Sequence, residues 1–121
     1  MPEIVTIIGA SDKKNRFSHM AMTSLIAHGY DVRLINPFKE NIDGQRCFKS
    51  ITEIKEKINT VTLYVNPTRF RDHIEEVLQV KPKRVIMNPG TEDTDMEQRL
   101  ADAGIKVYRA CTLVLLSSGQ F

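Results

Sequence analysis

Cysteine is scarce in this sequence. Cys47 and Cys111 are the only two, too few for a disulfide framework and not spaced as zinc ligands. A positively charged leader followed by an apolar run is also missing, because Met1-Pro2-Glu3 leads straight into a strand-like segment. Secretion is therefore not expected, and a cytoplasmic location is. Hydrophobic residues make up 41% and charged ones 26%, ordinary globular values that suggest neither disorder nor a membrane span. Charge of one sign is lacking too. A net charge of +2, with aromatics not interleaved among basic residues, argues against nucleic acid as a partner. Glycine-rich phosphate signatures are absent as well. No G-x-x-x-x-G-K-[ST] occurs, so triphosphate hydrolysis has no support, and Gly9 is alone in its loop, so there is no G-x-G-x-x-G.

What is present fits one domain over residues 1–121. Segments rich in β-branched or aliphatic residues recur at Ile4–Ile8, Asp31–Ile35, Thr60–Val65, Arg84–Met87 and Lys106–Tyr108, with helical stretches between them. The first and fourth runs are nearly continuous apolar, as parallel strands covered on both faces should be, and belong at the centre. A first helix is expected from a Ser18 cap, with Ala21, Met22, Leu25 and Ile26 at helical spacing, stopping at Gly29. A second is expected over about Thr68 to Val80, its inner stripe Phe70, Ile74, Val77 and Leu78, and a third from about Thr94 to Ala103. Phe38–Ser50 reads as a long loop with room for a short extra strand, followed by a small helix near Thr52–Lys57; Thr112–Ser118 reads as a last helical turn or two. The alternation predicts an α/β fold with a doubly wound parallel sheet of five strands in three α/β/α layers, its ligand outside the carboxyl ends of the strands.

The loops at that edge carry the candidate site. After the first strand, Gly9 allows a tight turn, Ser11 and Ser18 supply hydroxyls, and the amides opening the next helix would face a phosphate. Lys13, Lys14 and Arg16 add cations beside it; an ordinary solvated loop is the competing explanation for them. Where an NAD-binding domain offers a carboxylate to the ribose, the second strand instead ends in Ile35-Asn36-Pro37, which argues against NAD. Three strands end alike, in Asn36-Pro37, Asn66-Pro67 and Asn88-Pro89. Proline stops each strand and asparagine can donate and accept, although both are also common turn residues.

At Ile8-Gly9-Ala10-Ser11, Arg16-Phe17-Ser18, Ile35-Asn36-Pro37, Val65-Asn66-Pro67 and Ala103-Gly104-Ile105-Lys106-Val107 the sequence resembles the small stand-alone CoA-binding proteins. These are Rossmann-like relatives of the CoA-binding domain of the succinyl-CoA synthetase alpha subunit. The resemblance covers nearly the whole chain. It implies that coenzyme A or an acyl-CoA is the ligand, and that Gly9, Ala10, Ser11 and Ser18 hold its pyrophosphate. It further implies that Lys39 contacts CoA, a role for which a ribose phosphate wanting a cation is the physical reason; a surface lysine is the alternative. Asn36 and Pro37 would lie near the adenosine, Val65, Asn66 and Pro67 along the adenine or its ribose, and Asn88, Pro89 and Gly90 along the pantetheine arm. The first loop is poorer in glycine than the synthetase pattern.

The synthetase reaction needs a phosphorylated histidine and a nucleotide-grasping partner from domains this chain lacks. His28 and His73 read as surface residues, and His19 as a solvated first-turn residue unless it touches the phosphates. Cys111, after the fifth strand, reads as a buried small hydrophobe, with a mixed disulfide to the CoA thiol as the alternative. Asp93, Asp95 and Glu97 read as an acidic helix start. The expected function is non-catalytic binding of CoA or acyl-CoA. The alternative is an enzyme, either an NAD(P)-dependent oxidoreductase or an acyl-CoA-transferring subunit completed by a partner chain. Leu113–Leu116 and Phe121 carry apolar surface on which a homodimer is conceivable.

Overall fold

A computed structural model describes residues 3–121, so Met1 and Pro2, on which the reading of the amino terminus leaned, lie outside the described residues. The sheet has seven strands in the order β3-β4-β2-β1-β5-β6-β7. These are β1 (Ile4–Ile8), β2 (Asp31–Ile35), β3 (Asn41–Ile42), β4 (Gln45–Phe48), β5 (Thr60–Leu63), β6 (Arg84–Met87) and β7 (Lys106–Arg109). All neighbours pair in parallel except β3 with β4. The Rossmann-like α/β class is as expected, but five strands become seven. The two extra ones come from the segment read as a long loop. Asp43 and Gly44, with φ of 50° and 81°, form the two-residue turn between β3 and β4, and positive φ at both positions suits a type I′ hairpin.

The continuous apolar runs do lie inside: every residue of β1 is buried, and Val85, Ile86 and Met87 of β6 are fully covered. One face packs against α1 (Phe17–Ala27) and α5 (Thr112–Ser117) through Val5, Ile7, Met22, Leu25 and Leu116. The other packs against α2 (Pro67–Phe70), α3 (Ile74–Val80) and α4 (Thr94–Asp102) through Ile8, Leu63, Phe70, Ile74, Val77, Met96 and Leu100. Three layers result.

Two helices differ from the expectation. The one expected over residues 68–80 is two, because at Asp72 and His73 the amides turn back to Arg69 and Phe70, an i→i−3 tightening that interrupts the α-helix. Its inner stripe survives the break, with Phe70, Ile74 and Val77 all buried. The helix expected near Thr52–Lys57 shrinks to a 3-10 turn over Ile51–Glu53. There Ser50 and Glu53 form a reciprocal capping box, and Ile54 and Ile58 are buried in irregular chain instead.

The chain leaves β1 toward β2, then returns to the other side of β1 to lay down β5. Strand order therefore reverses at β1, and the loops leaving the carboxyl ends of β1, β2 and β5 diverge around a crevice.

Candidate functional site

That crevice is a cleft of about 690 Å³, within the range of roughly 300–1,000 Å³ usual for small-molecule sites. The loop after β1 contributes Gly9, Ala10, Ser11, Lys13, Arg16 and Ser18; the loop after β2 contributes Asn36, Pro37 and Phe38; the segment after β5 contributes Tyr64, Val65, Asn66, Arg69, Asp72 and His73.

Gly9 sits where the two central loops touch. Its φ is +92°, and a β-carbon there would stand 2.9 Å from the Tyr64 carbonyl carbon and oxygen and 2.8 Å from Val65 Cγ1. The amides of Gly9 and Ala10 both point at the Ile35 carbonyl, each at 3.3 Å, so they shape the loop and are not free for a ligand. Free donors lie further on. The first-turn amides of Phe17 and Ser18 have no hydrogen-bond partner among the described residues, and Ser18 lines the cleft at the amino-terminal end of α1, where the helix dipole is positive. Ser18 was expected to cap α1, but Arg16 occupies the cap position in extended conformation and Ser18 lies inside the first turn, buried.

The Asn-Pro pairs share an edge but not a job. Asn36 donates from its amide nitrogen to the Ala10 carbonyl at 2.9 Å and accepts from the amides of Phe38 and Lys39 at 2.7 and 3.1 Å, tying the β1 loop to the β2 loop. Asn66 caps α2 by accepting from the Arg69 amide at 2.9 Å, with Pro67 as the first helical residue. Asn88 is only 2% exposed and is wholly engaged inside the fold. It donates to Thr62 Oγ1 and the Leu63 carbonyl, both at 2.7 Å, and accepts from the Thr112 amide at 2.8 Å. Pro67, Asn88, Pro89 and Gly90 lie outside the lining of the cleft.

Lys39 is also outside the lining of the cleft, although its neighbour Phe38 belongs to it, and its ammonium lies 3.0 Å from the Asp12 carboxylate. That contact holds the Asp12 carboxyl below the usual carboxylate range and bridges the two loops. Arg69 and His73 were not read as site residues. The available signal was their place in the first turns after β5, at the same sheet edge as Asn66. His73, expected at the surface, turns into the cleft with its side chain 18% exposed. His19 also departs from expectation: it is buried, and its Nε2 donates to the Asp43 carboxylate at 2.7 Å, because the β3–β4 hairpin folds its turn onto α1. Tyr64 lies at the cleft floor with its hydroxyl buried and unpaired. Burial pushes its pKa up to about 12; the nearby Thr112 and Thr62 hydroxyls offset part of that push without reaching hydrogen-bond geometry. Cys111 is half-buried just before α5 and, like Cys47, is a free thiol. Among the described residues no cluster of His, Cys, Asp and Glu could hold a metal ion, and no helix is long and apolar enough to cross a membrane.

A Rossmann-like sheet with a basic, helix-capped cleft at its switch point defines a small nucleotide-type binding domain. Residues 3–117 match the CoA binding domain family, and the chain belongs to it. It is similar to YneT, an uncharacterised protein of Bacillus subtilis (strain 168), with 25% identity over 116 residues, covering 89% of this chain and 86% of that one. A hypothetical protein from Pyrococcus horikoshii OT3 superposes with a TM-score of 0.90 at 28% identity, covering 94% of this chain and 81% of that one. A dinucleotide forming acetyl-coenzyme A synthetase of Ca. Korarchaeum cryptofilum, solved with phosphate and ADP, shares the fold. Its TM-score is 0.77 at 17% identity, over 90% of this chain and 26% of that one.

Proposed function

We propose that the cleft binds coenzyme A or an acyl-CoA and that residues 1–121 work as one non-catalytic binding module. The observation that carries this is the unbonded amino-terminal turn of α1, whose Ser18 lines the cleft together with Lys13, Arg16 and Arg69. Such a donor set matches a diphosphate. The pyrophosphate rests on the loop from Gly9, Ala10 and Ser11 to Ser18. The adenosine lies against Asn36, Pro37 and the Val65-Asn66-Pro67 segment. Phe38, 81% exposed at the cleft rim, offers its ring face for base stacking. The pantetheine arm runs toward the carboxyl edge of β6, where Pro89 and Gly90 are exposed.

A thermal-shift panel with CoA, acetyl-CoA, NAD, NADP and ADP tests the proposal. CoA at a hundred times its dissociation constant should stabilise the protein by about 2.7 kcal/mol, roughly a 10 °C rise in melting temperature for a domain of this size. A clear shift with NAD and none with CoA overturns it and restores the oxidoreductase alternative.

Lys39 is assigned to the ribose 3′-phosphate, exchanging its Asp12 partner for the ligand. Lys39→Ala should weaken CoA by about tenfold, the scale of one charge-assisted contact, and leave dephospho-CoA nearly unchanged. Calorimetric titration of both ligands reads this directly, and equal losses remove the assignment.

A further inference from the structure

The opposite edge of the sheet holds a second depression that shares no lining residue with the cleft. At the amino ends of β5, β6 and β7 a groove of about 440 Å³ is lined by residues that include Lys83, Arg84, Lys106, Tyr108, Thr60 and Glu3. Arg84 and Lys106 are register partners on adjacent strands. They project from the same sheet face side by side, an arrangement of like charges that costs stability when nothing lies between them. Lys83 precedes Arg84, and Lys81 reaches across from the end of α3 so that its ammonium lies 3.9 Å from where a β-carbon of residue 104 would stand. None of these cations forms an ion pair among the described residues. Glu3 is the single carboxylate in the lining.

Arg84 is also held in place. Its Nε donates to Thr60 Oγ1 at 2.8 Å, and its guanidinium carbon lies 4.4 Å from the centroid of the Phe121 ring. Its two terminal nitrogens make no hydrogen bond among the described residues. The side chain is thus an oriented fork with its outer donors open, in a groove that Lys83 and Lys106 also line. A carboxylate offers only two oxygens, which that fork alone would use. A phosphate brings a third oxygen and a second charge for the lysines.

We propose that this groove binds a phosphate-bearing small-molecule anion, taken by the terminal nitrogens of Arg84 and flanked by Lys83 and Lys106, at a site separate from the CoA cleft. The site does not depend on what the cleft binds, since the two lie at opposite ends of the strands.

The test is a titration of the ¹⁵N-labelled protein with inorganic pyrophosphate at constant ionic strength, followed by amide chemical shifts. Amides around Lys83, Arg84 and Lys106 are expected to move along a saturable curve. The double variant Lys83→Gln, Lys106→Gln should weaken that curve by about tenfold or more, the scale of lost charge-assisted contacts, while shifts at Gly9–Ser18 stay as in the parent. Arg84→Lys, which keeps the charge and loses the fork, should weaken it as well. Groove shifts no larger than those produced by chloride at equal ionic strength overturn the proposal. So does an unchanged curve in either variant, and so does an equal response to citrate, which carries carboxylate charge without phosphate.

Discussion

Gly9→Ala is expected to lower the melting temperature by about 10 °C and to abolish measurable CoA binding at concentrations that saturate the parent. The backbone at 9 has φ of +92°, a conformation that costs a non-glycine residue on the order of 1–3 kcal/mol. The new methyl would also stand 2.9 Å from the Tyr64 carbonyl carbon and oxygen, which are backbone atoms and cannot rotate away. Relief requires the loop after β1 to part from the loop after β5. Together strain and displacement come to about 3 kcal/mol, and at this chain length each kcal/mol shifts the midpoint by roughly 4 °C. The two readouts separate two effects. A circular-dichroism melt follows the packing, and calorimetry with CoA follows the cleft, whose first-turn amides keep their aim only while the loop keeps its path. A variant that melts within 2–3 °C of the parent, a shift worth less than about 1 kcal/mol, would show that the two loops are not in the contact described.

Asn88→Ala is expected to cost about 3 kcal/mol, and Asn66→Ala only about 1 kcal/mol, although both residues stand in the same Asn-Pro context. Asn88 satisfies the Thr112 amide and gives its own two protons to Thr62 Oγ1 and the Leu63 carbonyl, all in the interior. Its removal strands the Thr112 N–H, which opens α5, and the Leu63 carbonyl, and water does not reach either without opening the fold. Each stranded group costs about 1–3 kcal/mol. Asn66 is exposed, so the Arg69 amide it caps finds water when the side chain is lost. Urea melts of the two variants, compared at equal slope, measure the difference. Equal losses would mean that Asn88 has no interior network to hold.

The parts legible in sequence were those governed by local pattern. The unbroken apolar runs of β1 and β6 announced central strands, because a strand covered on both faces leaves no polar side to alternate with. The single glycine after β1, the helix behind it and the cations Lys13 and Arg16 marked the cleft, because its first wall is built from consecutive residues at a strand end. Asp43-Gly44 was a readable hairpin signal in a segment read as loop. Strands of only two and four residues, Asn41–Ile42 and Gln45–Phe48, are too short for alternation to show.

The sequence by itself thus determined the fold class, the family and the sheet edge that carries the cleft. Tertiary structure alone decided what each shared motif does. Asn36 ties two loops, Asn66 caps a helix and Asn88 holds an interior network, and only the third is beyond the reach of water. It likewise decided that His19 is a buried partner of Asp43, that His73 and Arg69 face the cleft, and that Arg84 and Lys106 are register partners at the far edge. The reason is common to all of these. A side chain's hydrogen bonds and its access to water depend on groups distant in sequence, brought near only when the sheet is assembled.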